Sequence, residues 1–188
     1  VAKKGGVVFG IAKRKELEKL VAMNMFGIGP RLVLSGGAGV AAVLLLRKFL
    51  GGTLHLPTVW TPGLRIAGGI LLLIGCWFWF DSARRMVPAF RSRQLATGGV
   101  YGLCRNPMYA AFIVFIIPGL ALVANEFLIL IVALGLYLEF KRNVGREEEF
   151  LRREFGAAYA QYARQVPQLF PRIRGGRRLP GTPFSAPE

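Results

Sequence analysis

Residues 106–125 read NPMYAAFIVFIIPGLALVAN, twenty positions without a charged side chain. A helix needs about 20 mostly apolar residues to cross the hydrocarbon core of a bilayer, and this run reaches that length unaided. Pro118-Gly119 interrupts it; a proline removes a backbone donor, so a kink or break is expected there. Three further charge-free runs accompany it: residues 32–46 before Arg47-Lys48, residues 66–80 between Arg65 and Asp81, and residues 127–138 before Glu139. Snorkelling Arg and Lys side chains extend the first two; the last is the shortest. Only Asn125-Glu126 separates the third run from the fourth, which predicts a tight antiparallel helical hairpin.

Composition agrees with four membrane runs. Of 188 residues, 53% are hydrophobic and 19% charged, against about 25% charged in a soluble domain. Mean hydropathy is +0.43. These values exclude a disordered chain and a water-soluble enzyme with one globular core. The net charge of +15 would by itself suggest nucleic acid. Cytoplasmic loops of membrane proteins carry the same excess, so the expected partner is the lipid bilayer and no nucleic acid. With alternate runs crossing in opposite directions, twenty-two of the 25 Lys and Arg fall on one side and three on the other. The expectation is an all-α, multi-pass integral membrane protein with about four transmembrane helices, cytoplasmic amphipathic helices and both termini cytoplasmic.

Cys76 and Cys104 are far apart and suggest neither a disulfide nor a zinc site. Cys104 reads as a small apolar filler rather than an activated thiol. A single histidine, His55, rules out a histidine-based metal centre, and no metal is expected. No secretory signal with a cleavage site is expected either. Residues 1–31 are expected to be a cytoplasmic or interfacial segment. Within it, residues 13–26 form an amphipathic helix with Leu17, Leu20 and Val21 on one face. Residues 32–171 form one membrane domain, and residues 172–188, rich in Gly, Pro and Arg, a loose tail.

Two segments carry chemistry. In residues 146–163, Leu151, Phe155, Tyr159 and Tyr162 fall on one stripe of a helix. Relative to that stripe Glu148 lies roughly 25° away, Glu147 roughly 75° and Glu149 roughly 125°. Glu149 should therefore face water, Glu148 the apolar side and Glu147 its edge. Acids in a first helical turn offset the dipole, but that does not account for one pointing inward. A buried carboxylate is costly alone, so an Arg or a cationic ligand is expected beside Glu148 or Glu147.

Residues 93–109, RQLATGGVYGLCRNPMY, join the second run to the third. Gly98-Gly99 and Gly102 permit close approach or unusual φ, Pro107 pre-sets a first helical turn, and Tyr101 and Tyr109 offer aromatic faces with polar tips. By composition alone these are turn residues and an interfacial belt. Walker, GxGxxG, GxSxG and HExxH patterns are absent from the sequence.

The combination Leu95-x-Thr97-x-Gly99-x-Tyr101-x-x-x-Arg105-x-Pro107-x-Tyr109, then a hydrophobic hairpin, then Glu147-Glu148-x-x-Leu151-x-x-x-Phe155-Gly156-x-x-Tyr159-x-x-Tyr162-x-x-x-Val166-Pro167, resembles the isoprenylcysteine carboxyl methyltransferase family. Those integral membrane enzymes are related to the phospholipid methyltransferases. The resemblance spans residues 93–171. It implies S-adenosylmethionine as cofactor, held in a cytoplasmic pocket, and a lipophilic methyl acceptor arriving from the bilayer. The positions it implies for the cofactor are Leu95, Ala96, Tyr101, Pro107, Met108, Tyr109 and Glu147, with Gln94 in the same run. Asn106 stands where the family commonly has His; it keeps donor and acceptor capacity but cannot titrate, and is retained in the cofactor set. Asn143 stands where the family often has an acceptor-contacting Arg, with Arg142 and Arg146 nearby.

Methyl transfer from a sulfonium is an in-line displacement that needs alignment and exclusion of water. A carboxylate acceptor is already ionised and needs an Arg to orient it; Arg105 or Arg142 could serve. An amine acceptor must shed a proton, and Glu148 is the base expected for that case. The resemblance thus implies methyl transfer to a carboxylate of prenylcysteine type, with Arg105 and Glu148 as catalytic candidates. The alternatives are an NADPH-dependent membrane reductase of sterol or steroid type, and a non-enzymatic membrane scaffold or transporter subunit.

Overall fold

The computed structural model describes residues 33–46, 48, 60–92 and 94–172. The expected helix at residues 13–26, His55 and the tail beyond residue 172 lie outside the described residues. Every element among them is helical: α1 (Val33–Leu46), α2 (Thr61–Arg91), a 3-10 turn at Gly99–Gly102, α3 (Pro107–Ala124), a 3-10 turn at Phe127–Ile129, and α4 (Leu130–Gln165).

Helices α2, over Thr61–Ala89, and α3 are each long and apolar enough to cross a membrane. Their surroundings differ. Ile66, Ile70, Leu73, Trp77 and Phe80 on α2 point outward, each more than half exposed. A row of large apolar side chains on the outside is what lipid covers and water does not. Trp60 and Trp79, both exposed, bracket roughly 30 Å of helix at 1.5 Å per residue, the thickness of a bilayer's hydrocarbon core. Tryptophan is favoured at both membrane interfaces. The chain is a membrane protein.

Helix α3 is packed between α2 and α4. It crosses α2 where two glycines meet: a Cβ on Gly68 would lie 2.7 Å from the Gly119 carbonyl oxygen, and one on Gly119 3.0 Å from that of Gly68. Small residues let helix backbones approach closely in lipid, where association depends on packing. Phe78 of α2 then stacks on Phe115 of α3, ring centroids 4.9 Å apart. On the other side, Tyr109 of α3 packs on Phe140 of α4 at 4.8 Å.

The break expected at Pro118 takes a specific form. Residues Ala111–Ile116 are π-helical, and regular α-helix resumes at Ile117–Ala124 with Pro118 in its first turn. A proline fits there because a first-turn N–H has no helical partner to lose; the wider π turns precede it. Asn125 ends the helix in the left-handed region, φ 51°. The fourth apolar run and the amphipathic segment, read as separate stretches in the sequence, are one 36-residue helix, broken only at Gly156, where φ is 52° and ψ −124°. Nothing between residues 139 and 146 stops a helix: Asn143 faces its own backbone, donating to Glu139 O at 2.9 Å.

Candidate active site

The first motif is pinned to α2 by one buried carboxylate. Asp81 Oδ2 accepts from Arg85 Nε at 2.7 Å and from the Val100 N–H at 3.1 Å, while Oδ1 accepts from Arg84 Nη2 at 3.2 Å. Gly99 makes this possible. Its φ is +60°, and a Cβ there would collide with the Arg85 guanidinium and the Asp81 carboxylate. Next to it the buried Tyr101 accepts a hydrogen bond from Ser82 Oγ at 3.0 Å, and its carbonyl accepts from Tyr162 Oη at 2.7 Å. Burial pushes the Tyr101 hydroxyl up to about 12. Tyr101 therefore bridges α2, the motif loop and the end of α4.

The chain after α4 straps the motif from the far side. The Arg105 N–H donates to Pro167 O at 2.8 Å, the Asn106 N–H to Gln168 O at 3.1 Å, and the Arg172 N–H to Leu103 O at 3.1 Å. Asn106 Nδ2 also donates to Gln168 O, at 2.9 Å. The side chain at the departure from the family pattern thus doubles a backbone clamp. Cys104, fully buried between these layers, is pushed by burial up to about 12. It is a protonated filler and no activated thiol.

Helix α4 brings the glutamates to this loop. Glu148 Oε1 accepts from Arg105 Nη2 at 3.0 Å and from Gln168 Nε2 at 3.0 Å. The arginine expected beside the inward glutamate is Arg105, with both side chains more than four-fifths buried. Arg105 Nη1 reaches Ala163 O at 3.4 Å, and its buried Nε has no hydrogen-bond partner among the described residues. Glu147 Oε1 accepts from Tyr109 Oη at 3.2 Å. Burial lifts the Glu147 carboxyl above the ordinary carboxylate range, and the charge on Glu148 adds to the rise while the Tyr109 hydrogen bond opposes it. Glu149 is half exposed and, among the described residues, pairs with Arg153 at 2.8 Å, facing water as its angle on the wheel required. Arg142 is exposed and, seven residues before Glu149, shares that outer face.

Beneath the glutamates the stripe is a compact cluster: Tyr159, Tyr162 and Val166 are buried, with Leu95, Leu151 and Phe155 packed against them. Burial pushes the Tyr159 hydroxyl up to about 12, the neighbouring Glu148 charge contributing.

Residues 64–158, half of the chain, match the phospholipid methyltransferase family. The chain belongs to that family. It is also similar to protein-S-isoprenylcysteine O-methyltransferase B of Arabidopsis thaliana, 30% identical over 42% of this chain and 40% of that protein. A protein-S-isoprenylcysteine O-methyltransferase of Schizosaccharomyces pombe is 33% identical over 44% of this chain and 35% of the relative. The nickel-cobalt-cadmium resistance protein NccN of Alcaligenes xylosoxydans is 34% identical over 44% and 38%. The chain thus spans about two fifths of the length of these curated relatives. No solved structure matches it.

Of the residues expected in the site, the structure brings Arg105, Asn106, Pro107, Tyr109, Glu147 and Glu148 together at the junction of loop, α3 and α4. Met108 lies half-buried beside them in the first turn of α3. Leu95 joins the tyrosine cluster and Ala96 the main core. Gln94 is tied through its N–H to Ala89 O at 2.8 Å, at the end of α2. Sequence reasoning missed Gln168. It touches Glu148 and Asn106, and its Oε1 accepts from Lys141 Nζ at 3.0 Å. The only signal for it was its place just after Val166-Pro167.

Proposed function

We propose that this chain is a membrane-embedded methyltransferase, its methyltransferase domain spanning residues 32–171. It would transfer the methyl group of S-adenosylmethionine to a carboxylate on a lipophilic acceptor of prenylcysteine type. The observation that carries this reading is the pair of side-by-side contacts Tyr109–Glu147 and Arg105–Glu148, built from both motifs at one end of the helices. The cofactor supplies an electrophilic methyl group on a sulfonium. The residues present suit it: a half-buried carboxylate with a raised pKa for an ammonium or a ribose hydroxyl, a buried guanidinium nitrogen, Arg105 Nε, without a partner among the described residues for a carboxylate, and tyrosine faces for a cation. Glu147, Tyr109, Met108 and Pro107 would hold it, with Leu95 and Ala96 behind.

Glu148 is not the base this geometry favours. Its Oε1 already accepts from Arg105 Nη2 and from Gln168 Nε2, each at 3.0 Å, which ties that oxygen to protein donors rather than to an acceptor's proton. A carboxylate acceptor needs no base, which favours it over an amine. Arg105, with two of its nitrogens on Glu148 and Ala163, acts by positioning the motif loop against α4; Arg142 faces away. Four spans, with residues 106–138 as a membrane hairpin and both termini cytoplasmic, are the topology the charge asymmetry supports. It puts the motif loop and Glu147 on the cytoplasmic side, where a prenylated acceptor and a water-soluble cofactor can both arrive.

The test is transfer of radiolabelled methyl from S-adenosylmethionine by the purified protein to N-acetyl-farnesylcysteine, with phosphatidylethanolamine as the competing acceptor. Base-labile methyl ester on the farnesylcysteine is the expected product. Label on the phospholipid amine alone would overturn the carboxylate assignment, and label on neither the acceptor class.

A further inference from the structure

On the α2 side of the motif loop, an open surface cleft of about 350 Å3 is lined by Arg84, Arg85, Pro88, Ala89, Ala96 and Gly98. Only Ala96 belongs to the expected cofactor set, and neither glutamate pair lines the cleft. We propose that it is an oxyanion site that takes the phosphate group of an anionic ligand at the membrane surface.

Asp81 arranges the donors. By accepting from both arginines and from the Val100 N–H, one buried carboxylate fixes two guanidinium groups and the loop as a unit. Two positive charges against one negative leave the unit cationic. Arg85 uses only Nε on Asp81, and Arg84 only Nη2. Their remaining N–H groups have no protein partner among the described residues. Both side chains keep access to solvent, at 40% for Arg85 and 67% for Arg84. A guanidinium fork held from behind presents parallel donors that match phosphate oxygens. A Cβ on Gly98 would stand 3.3 Å from Arg85 Nη1, so the glycine keeps that edge of the fork open.

Depth and size indicate the ligand class. Arg84 lies four residues beyond Phe80, where the charge-free run ends, about 6 Å further along the helix. Lipid phosphates sit at that level, just outside the hydrocarbon. The volume falls in the range of small-ligand pockets, about 300–1,000 Å3, more than a lone ion fills, and Pro88, Ala89 and Ala96 give it an apolar wall for the carbon atoms of a headgroup. The shared chemistry is a phosphate oxyanion, whether on a lipid or free in solution.

The test is calorimetric binding to the full chain in a neutral detergent, with dihexanoyl phosphatidate, inorganic phosphate and dihexanoylglycerol as separate probes. The phosphatidate should bind, and the neutral glycerolipid should bind more than about tenfold more weakly. Arg84→Gln should weaken phosphatidate binding about fivefold or more, and Ala89→Trp, which fills the cleft without touching Asp81, about tenfold. Arg84 is mostly exposed, so this variant should keep its helical circular dichroism and its S-adenosylmethionine affinity. That separates failure of this site from failure of the methyltransferase reading. Inorganic phosphate binding as tightly as the lipid, and lost in the same variants, would support the oxyanion site with a soluble ligand. Unchanged phosphatidate affinity in both variants, or equal binding of the neutral lipid, would overturn the proposal.

Discussion

Glu147 and Glu148 are adjacent, yet their surroundings assign them different tasks. Glu148 is locked to Arg105 and Gln168; Glu147 has a tyrosine hydroxyl and a raised pKa. Removing one partner of a mostly buried ion pair leaves an uncompensated charge, so Arg105→Met should lower stability by about 3 kcal/mol. The double variant Arg105→Met/Glu148→Met should recover most of it, as read by thermal unfolding in detergent. For Glu147 the sign works in two directions. Its folded pKa lies above the unfolded value near 4.5, so its contribution to stability is greatest below that pH and declines as pH rises through the folded pKa. A cationic cofactor favours the ionised form, so S-adenosylmethionine affinity should climb over the same pH window. Glu147→Gln should flatten both profiles and weaken cofactor binding about tenfold or more; an unchanged affinity would remove Glu147 from the pocket. The directions of the glutamates were legible in the sequence, because a helical wheel fixes which acid turns inward, and a buried acid calls for a cation; that the cation is Arg105 was not, since the wheel left an arginine and a cationic ligand equally open and Arg105 stood out only through the motif resemblance. Gln168 was not, since a glutamine in an irregular strap has no period to betray its direction.

At the scale of elements, α2 and α3 depend on contact between backbones. Gly68→Val would drive side-chain atoms into the Gly119 carbonyl, 2.7 Å from a Cβ at that position, while Gly69 has nothing within 4 Å. Overpacking of this kind costs about 1–3 kcal/mol. The expected result is a clear fall in the unfolding midpoint for Gly68→Val and none for Gly69→Ala; equal effects would contradict the crossing. Helix existence was legible in the apolar runs, as were the first-turn Pro107 and the break near Pro118. The form of that break was not, because the π-helical turns depend on how α3 lies against its neighbours. Nor was the merging of the fourth run with the amphipathic segment. The hydropathy change at Glu139 reads like a boundary, but polarity ends an apolar run without ending a helix.

Across the whole molecule, lipid-facing apolar surface on α2 and a charged, strapped junction of loop, α3 and α4 lie at different depths. If the charge asymmetry sets orientation, the Asn125 turn and the Arg152 face of α4 lie on opposite sides of the bilayer. Single cysteines at those positions, introduced in a Cys76→Ser background, should therefore react with an impermeant thiol reagent from opposite sides of sealed vesicles. Labelling from the same side would contradict the hairpin. In the proposed function both motifs form one S-adenosylmethionine pocket. Equilibrium binding of S-adenosylmethionine to the detergent-purified protein, with NADPH in parallel and Glu147→Gln beside the wild type, tests it most directly. Micromolar-range binding of S-adenosylmethionine alone, weakened in the variant, is the expected result; binding of NADPH alone, or of neither, would contradict it.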